Sequence, residues 1–343
     1  MSNTAILAAA GSRKTEYIVE KALAAEGRVL ITTYTNENQN QIARRIESKV
    51  GTIPSNITIL GWFTFLIAQC ARPYQLALTG EPLVISGLNF KGKHHKFAKK
   101  ANLNYYLDQQ GGMYREDVSD FVVNVNERTN GAVIHRLENI FDHIFVDEVQ
   151  DLAGYDLEVL DLIMSSKISL TMVGDPRQHT LSTTLGPKNK KYRGEGLRQW
   201  FAERADRCDL QTRDCSYRCN QHICDFADAI YPALPPTKSI DVSATDHDGI
   251  FYILGDDVPT YFAQYAPVTV LRNDKNANTY GLPAMNIGVS KGSTFDRVMI
   301  FPTKPMLTYL QDKNHKKLKA PERLYVAVTR ARFSVAFVVP KLW

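Results

Sequence analysis

Residues 4–16 read TAILAAAGSRKTE. A short apolar run leads into small residues, one glycine, and then a lysine and a threonine. A phosphate-binding loop has the form G-x-x-x-x-G-K-[ST]: backbone N–H groups wrap a triphosphate, the lysine reaches its outer phosphates and the hydroxyl ligates Mg²⁺. Lys14 and Thr15 satisfy the last two positions, while Ala8 and Arg13 stand where the two glycines belong. A strand feeding such a loop and then a helix is the opening unit of an α/β fold built on a parallel sheet.

The rest of the chain keeps that rhythm. After the first strand at 5–9, apolar or β-branched runs at 28–33, 57–60, 143–146, 170–173, 250–254, 268–271, 297–301 and 334–339 alternate with helical patterns such as 15–26 and 37–50. Sites in such sheets lie at the carboxyl ends of the strands. Residues 67–140 break the pattern with helical stretches, the pair Gly111-Gly112 and the basic run KGKHHKFAKK (91–100), and read as an insertion.

With 343 residues the chain is long for one core and suggests two domains. Forty-one basic against 36 acidic residues give a net charge of +5, which favours polyanionic partners. Five cysteines and no signal-like start read as reduced thiols of a cytoplasmic protein, and no apolar run approaches the ~18 residues a membrane span needs. Cys208, Cys215, Cys219, His222 and Cys224 cluster, but no spacing is C-x-x-C, so they read as ordinary thiols and not as metal ligands.

Two strand tips carry chemistry. HIFV (143–146) runs straight into Asp147 and Glu148, which suit a Mg²⁺ holder and the base that orients an attacking water; alone, the same stretch reads as a solvated acidic turn. SLTMV (169–173) ends in GDPRQ, which puts Gln178 where an amide could sense a terminal phosphate. Arg330 and Arg332 precede the final strand, and arginine at a cleft edge neutralises charge on a transferring phosphoryl group.

Taken in order, GSRKT, TTYTNEN, DEVQD, GDPRQ, SYRCN, SKGSTFD and YVAVTRA resemble the motif series of superfamily 1 helicases of the UvrD/Rep type, from residue 8 to 332. The resemblance implies two RecA-like P-loop domains with parallel sheets, with a small, mostly helical insertion in the first. It implies a first, ATP-binding domain at 1–66 and 141–205, the insertion at 67–140 and a second domain at 206–343. The family's roles map as follows: Gly11, Ser12, Arg13, Lys14 and Thr15 on the nucleotide, Thr15 and Asp147 on Mg²⁺, Glu148 as base and Gln178 beside the phosphates. Arg218 and Arg330 would reach the γ-phosphate, Lys291 and Gly292 belong to a further nucleotide-side motif, and Thr33, Tyr34 and Asn36 would contact nucleic acid. The implied activity is an ATP- and Mg²⁺-dependent motor on single-stranded DNA, with RNA as the alternative polymer and 3′-to-5′ movement.

Several positions depart from that pattern. The family usually has an upstream glutamine that reads adenine; the seven residues before the loop contain none, so the sequence does not fix selectivity for ATP over other nucleotides. Gly288 and Thr294 replace a histidine and a glutamate, and HTLSTT (179–184) replaces base-stacking aromatics. Trp62 and Phe63 then become the candidate stacking platform, against a plain role in packing a helix start, and Lys93 and Lys96 the backbone-following cations. About seventy residues separate Arg218 from Lys291, so the large insertion of bigger members is missing. A rival reading is a nucleotide-gated DNA sensor that switches a partner protein such as a nuclease.

Overall fold

The computed structural model describes residues 3–80 and 85–342; the outer limits expected for the two domains, at 1 and 343, and residues 81–84 of the expected insertion lie outside that range. All counts below refer to the described residues. The fold is α/β, with two parallel sheets and a mostly helical insertion, and divides into two compact units.

The first unit comprises residues 1–7, 14–176 and 181–211. Its strands β1 (Asn3–Ala8), β2 (Val29–Thr33) and β3 (Ile57–Gly61) are followed by an inserted pair, β4 (Gly87–Asn89) and β5 (Gly112–Tyr114), then by β6 (His143–Val146), β7 (Ser169–Gly174) and β8 (Cys208–Arg213). The six-stranded sheet has the order β3-β2-β6-β7-β1-β8. β2 pairs in parallel with β3 and β6, β6 with β7, and β7 with β1, so these five strands end at the same edge. All five residues of β2 are buried, as expected for a parallel sheet covered on both faces.

The strand expectations hold at every run, with shifts of one to three residues at the ends. The strands not expected are the short β4 and β5, Cys215–Ser216, Lys238–Ser239 and Ala284–Asn286, and the polar edge strand β8, CDLQTR. The final strand begins at Ala331, so Arg332 lies within it and not before it. Helix Lys14–Ala24 follows β1 directly. Helix Asn36–Val50 is capped by Thr35, whose hydroxyl accepts from Asn38 N–H at 3.2 Å, and stops at Gly51 with φ +85°.

Residues 67–140 share the core of this unit. Val118, Phe121, Val122 and Val125 of helix Val118–Arg128, and Val133 and Leu137 of helix Ala132–Ile140, pack into the same apolar cluster as Leu30, Ile144 and Leu170 of the sheet. A buried carboxylate fastens the pieces. Asp156 accepts the Trp62 indole N–H at 2.7 Å, the hydroxyls of Ser119 and Thr183, and the Ala153 N–H at 3.2 Å. Burial raises its pKa above the ordinary aspartate value, against the pull of those donors.

Four donors meeting two carboxylate oxygens cannot be served by an amide, which brings one oxygen and two N–H groups of its own. Asp156→Asn is therefore expected to lower unfolding free energy by about 2–4 kcal/mol, read from chemical denaturation, because it leaves buried donors unsatisfied. A loss below about 0.5 kcal/mol would mean the network contributes little.

The second unit comprises residues 8–13, 177–180 and 212–343. A parallel two-stranded pair, β9 (Cys215–Ser216) with β10 (Lys238–Ser239), stands beside a five-stranded sheet. That sheet is built from β11 (Gly249–Leu254), β12 (Val268–Arg272), β13 (Ala284–Asn286), β14 (Phe295–Phe301) and β15 (Ala331–Val339) in the order β11-β15-β14-β12-β13, with every pairing parallel. Helices Gln221–Asp228, Lys304–Asp312 and Pro321–Val328 pack their apolar stripes, including Ile223, Leu310 and Leu324, into its core. Proline at the start of the last helix sets its first turn. None of the described helices is long and apolar enough to cross a membrane.

Candidate nucleotide and nucleic-acid sites

In the first unit the tips of β6, β7 and β1 bring the sequence candidates together. Thr15, in the first turn of helix Lys14–Ala24, donates its hydroxyl hydrogen to Asp147 Oδ2 at 2.9 Å. Asp147 sits one residue beyond β6; its N–H donates to the Thr32 carbonyl at 2.9 Å, and its Oδ1 accepts the Glu148 N–H at 2.9 Å. The carboxyl is buried, and its pKa is pushed up to about 6, first by burial and then by the charge of Glu148; the Thr15 hydrogen bond and the Lys14 charge pull the other way.

A buried acid with a second acid beside it and a hydroxyl bonded to it is short of positive charge. Hydroxyl and carboxylate oxygens are also the hard donors that Mg²⁺ prefers when phosphate oxygens and water complete its shell. The residues fit the ion. No group of three or more His, Cys, Asp or Glu side chains suitable for an all-protein metal cage occurs among the described residues.

Glu148 adopts a left-handed backbone, φ 57° and ψ 43°, which costs a non-glycine residue on the order of 1–3 kcal/mol. It opens a short 3₁₀ turn, Val149–Asp151. The turn brings the buried Gln150 back beneath it, and the Gln150 amide donates to Glu148 Oε2.

The second unit holds the remaining nucleotide-side candidates, and here the expected edge is wrong. They sit where β14 and β15 begin, not at the carboxyl ends of the strands. Arg330 immediately precedes β15, and its guanidinium donates to the carbonyls of Val326 (3.1 Å) and Ser293 (3.3 Å) and to Gln178 Oε1 (3.2 Å). Ser293 belongs to the same turn as Lys291 and Gly292, the latter at φ +88°, just before β14. Arg218 donates to the Thr329 carbonyl at 3.0 Å, and Asn220 hooks this segment to β15 through Arg332 and Phe333 carbonyls. Arg330 is thus bonded directly to Gln178, Arg218 to the residue before Arg330, and Lys291 lies two residues before the Ser293 carbonyl that receives Arg330.

Residues 8–13 pack within this unit too. The Ala9 N–H donates to the Arg213 carbonyl at 3.0 Å, and the Tyr217 N–H to the Gly11 carbonyl at 2.9 Å. Gly11 has φ +77°, and a Cβ there would meet Ser216 Oγ at 2.5 Å and Arg218 Cβ at 2.7 Å. Ser12 is buried, its N–H reaching the Ala9 carbonyl at 3.3 Å. Arg13 takes φ 60° and lays its guanidinium over the Tyr217 ring, 4.2 Å from the centroid.

Residues 85–181, which span the inserted helices, β6 and β7, match the UvrD/REP helicase N-terminal domain. Over those residues, and in the order of its motifs, the chain is similar to the UvrD/Rep helicases. No curated protein matches it in sequence. Among solved structures, the arterivirus nonstructural protein 10 helicase superposes with a TM-score of 0.51, and the same helicase in complex with DNA with 0.52. Each is 16% identical and covers 98% of this chain and 60% of its own. At that identity the likeness is one of fold, and this chain spans about 60% of the length of those helicase chains.

The nucleic-acid candidates are less uniform. Thr33 is buried at the end of β2 and accepts from Asn38 Nδ2 at 3.3 Å, and Asn36 accepts from Gln39 at 3.0 Å. Tyr34 is partly buried, with its pKa raised chiefly by that burial. Trp62 and Phe63 are enclosed: the Trp62 indole serves Asp156, and Phe63 packs edge-on between Tyr34 (5.9 Å) and Phe90 (6.2 Å). Neither ring offers an open face, because the helix start they occupy faces the core. Phe90, 59% exposed, and Phe97, 74% exposed, are the open rings of this region.

Lys93 and Lys96 are exposed, Lys96 lying 4.7 Å over the Phe97 ring. Lys100, by contrast, is engaged with Asp120 and Tyr155, and Lys188 with Glu158. All five cysteines are free thiols, and burial pushes Cys208 up to about 11.

Sequence reasoning missed Gln150 and Arg177. Arg177 is buried in the second unit, donating to the Pro235 carbonyl at 2.7 Å and the Thr237 hydroxyl at 3.4 Å, with Asp228 at 4.0 Å. Its only signal was its place beside Gln178.

Arg13→Gly removes a cation–π contact of about 0.5–1 kcal/mol but relieves a left-handed non-glycine conformation costing at least as much. The variant is expected to unfold at the same temperature as the wild type or higher. A fall of several degrees would show that the Arg13–Tyr217 stack outweighs the strain.

Proposed function

We propose that this chain is an ATP-dependent translocase or helicase acting on single-stranded nucleic acid, DNA in the first instance, with 3′-to-5′ movement. The observation that carries the reading is the Thr15–Asp147–Glu148 arrangement: a hydroxyl bonded to a buried carboxylate at one strand tip, with a second carboxylate beside it. The match of residues 85–181 to the UvrD/REP helicase N-terminal domain and the likeness of fold support it.

In this reading Lys14 neutralises the outer phosphates of ATP, and Thr15 and Asp147 hold Mg²⁺. The ion, when bound, screens the phosphate charge that builds as the terminal bond breaks. Glu148 orients the attacking water and accepts its proton. Gly11, Ser12 and Arg13 line the loop. Arg218 and Arg330 supply positive charge to the γ-phosphate, with Gln178 reading its presence and Lys291 and Gly292 completing the second unit's contribution.

Thr33, Tyr34 and Asn36 are the proposed strand contacts at the end of β2, and Lys93 and Lys96 the phosphate contacts of the insertion. One observation favours the rival, a nucleotide-gated sensor working with a partner such as a nuclease. Where the family has stacking aromatics, Thr183 instead spends its hydroxyl on Asp156, so that segment braces the first unit and leaves stepping to other platforms.

ATP hydrolysis with and without single-stranded DNA or RNA separates the two readings: strong stimulation by a strand fits the motor, and nucleotide binding with negligible turnover fits the sensor. Lys14→Ala is expected to reduce turnover to background while strand affinity stays within about threefold of wild type. Unchanged turnover would remove Lys14 from the nucleotide site.

Single strands release counterions on binding with a slope near −0.7 per phosphate contact. Replacing Lys93 and Lys96 with alanine is therefore expected to flatten the log–log salt dependence of strand binding by about 1–1.4. An unaltered slope would return these lysines to plain surface.

A further inference from the structure

The proposed hydrolytic base has a built support. Gln150 is 1% exposed and lies two residues after Glu148. Its amide bridges two strand tips of the first unit: Nε2 donates to Glu148 Oε2 beside β6, and Oε1 accepts the Asp175 N–H at 3.0 Å at the end of β7. A backbone N–H can only donate, so the amide oxygen is fixed at Asp175 and the NH₂ end has to face the carboxylate. The orientation is dictated by chemistry.

Neighbouring residues make room for this bridge. Gly174 precedes Asp175, and a Cβ there would collide with Gln150 Oε1 and come within 2.9 Å of Val149 Cγ1 and 3.2 Å of the Gln150 nitrogen. The turn that starts at the left-handed Glu148 closes through Asp151 N–H to the Glu148 carbonyl at 2.9 Å, and this folds the amide under the carboxylate.

We propose that Gln150 is the positioning residue of Glu148: by holding Oε2 it fixes the carboxylate rotamer and presents Oε1 to the attacking water of nucleotide hydrolysis. In this role Gln150 acts through Glu148 and not on the water or the nucleotide itself. The inference rests on the hydrolytic reading above. It adds a consequence: because the same amide is hydrogen-bonded at the tip of β7, displacement of the strand segment that leads to Gln178 is transmitted to the base.

The test is steady-state ATP hydrolysis by the full chain with saturating single-stranded DNA, for wild type, Gln150→Ala, Gln150→Glu and Gly174→Ala, together with binding of a fluorescent ATP analogue. Gln150→Glu keeps the shape and the acceptor for Asp175 but turns the donor facing Glu148 into a second carboxylate. The expected result is a loss of tenfold or more in kcat for all three variants, with KM and analogue affinity changed less than threefold. The acidic limb of the kcat–pH profile should also move upward in Gln150→Glu, as it must when a like charge is set beside a base.

If Gln150→Ala does not fold, the glutamate variant and Gly174→Ala decide. Wild-type turnover with variant kcat values within twofold of it would overturn the positioning role alone, as would a kcat loss matched by equal loss of analogue binding. A wild-type chain that binds the analogue without turnover would overturn the hydrolytic reading and this role with it.

Discussion

A carboxylate buried at the tip of a central strand is the constraint on which the first unit depends. Asp147 cannot sit there unsupported: burial pushes its pKa up to about 6, and its hydrogen-bond partners beyond its own turn come from elements that the parallel sheet delivers to the same edge. Thr15 arrives because β1 pairs with β7, the neighbour of β6, and leads through residues 9–13 into helix Lys14–Ala24, and the Thr32 carbonyl meets the Asp147 N–H because β2 is the neighbour of β6 on the other side. The strand order β3-β2-β6-β7-β1-β8 sets residues far apart in the chain around one acid. An antiparallel pairing at β6 would send its tip to the opposite edge and dismantle the arrangement.

The insertion illustrates a second consequence of burial. Its helices do not form a separate core; Val118, Phe121 and Leu137 complete the one under the sheet, and Asp156 ties Ser119 to Trp62 and Thr183. A residue drawn into that network has its polar atoms spoken for. Trp62 and Thr183 are accordingly structural here, and the exposed aromatic surface of the region shifts outward to Phe90 and Phe97, next to the lysines.

Much of this was legible in the chain. Apolar runs such as HIFV and SLTMV announce buried parallel strands, so β6 and β7, and the place of Asp147 and Glu148 just beyond β6, could be read directly. The short strands β4, β5, β9, β10 and β13 could not, because two or three residues carry no period, and nor could the polar edge strand β8. Trp62 was ambiguous for a related reason: an aromatic at a helix start stacks on a base or packs a core according to what faces it, and its partner Asp156 lies 94 residues away. Arg330 was readable from its motif, yet its position at the amino-terminal edge of β15 was not, since that depends on the turn at Ser293 that receives it.

The loop at residues 8–15 departs from the glycine pattern, and its packing shows which steric demand operates in this chain. Ala8 and Arg13 replace the glycines the pattern asks for, yet the loop's own glycine, Gly11, stands where a side chain would strike Ser216 and Arg218. The steric requirement in this chain is therefore set by the close approach of the loop to residues 213–218, a contact secured by Ala9–Arg213 and Gly11–Tyr217 hydrogen bonds. Arg13 bears the cost of a left-handed backbone and recovers part of it by stacking on Tyr217, immediately before Arg218. Arg13 thus keeps the left-handed backbone a glycine would adopt there while its side chain is turned onto Tyr217. Arginine is accommodated at this position for a reason that no pattern of glycines expresses.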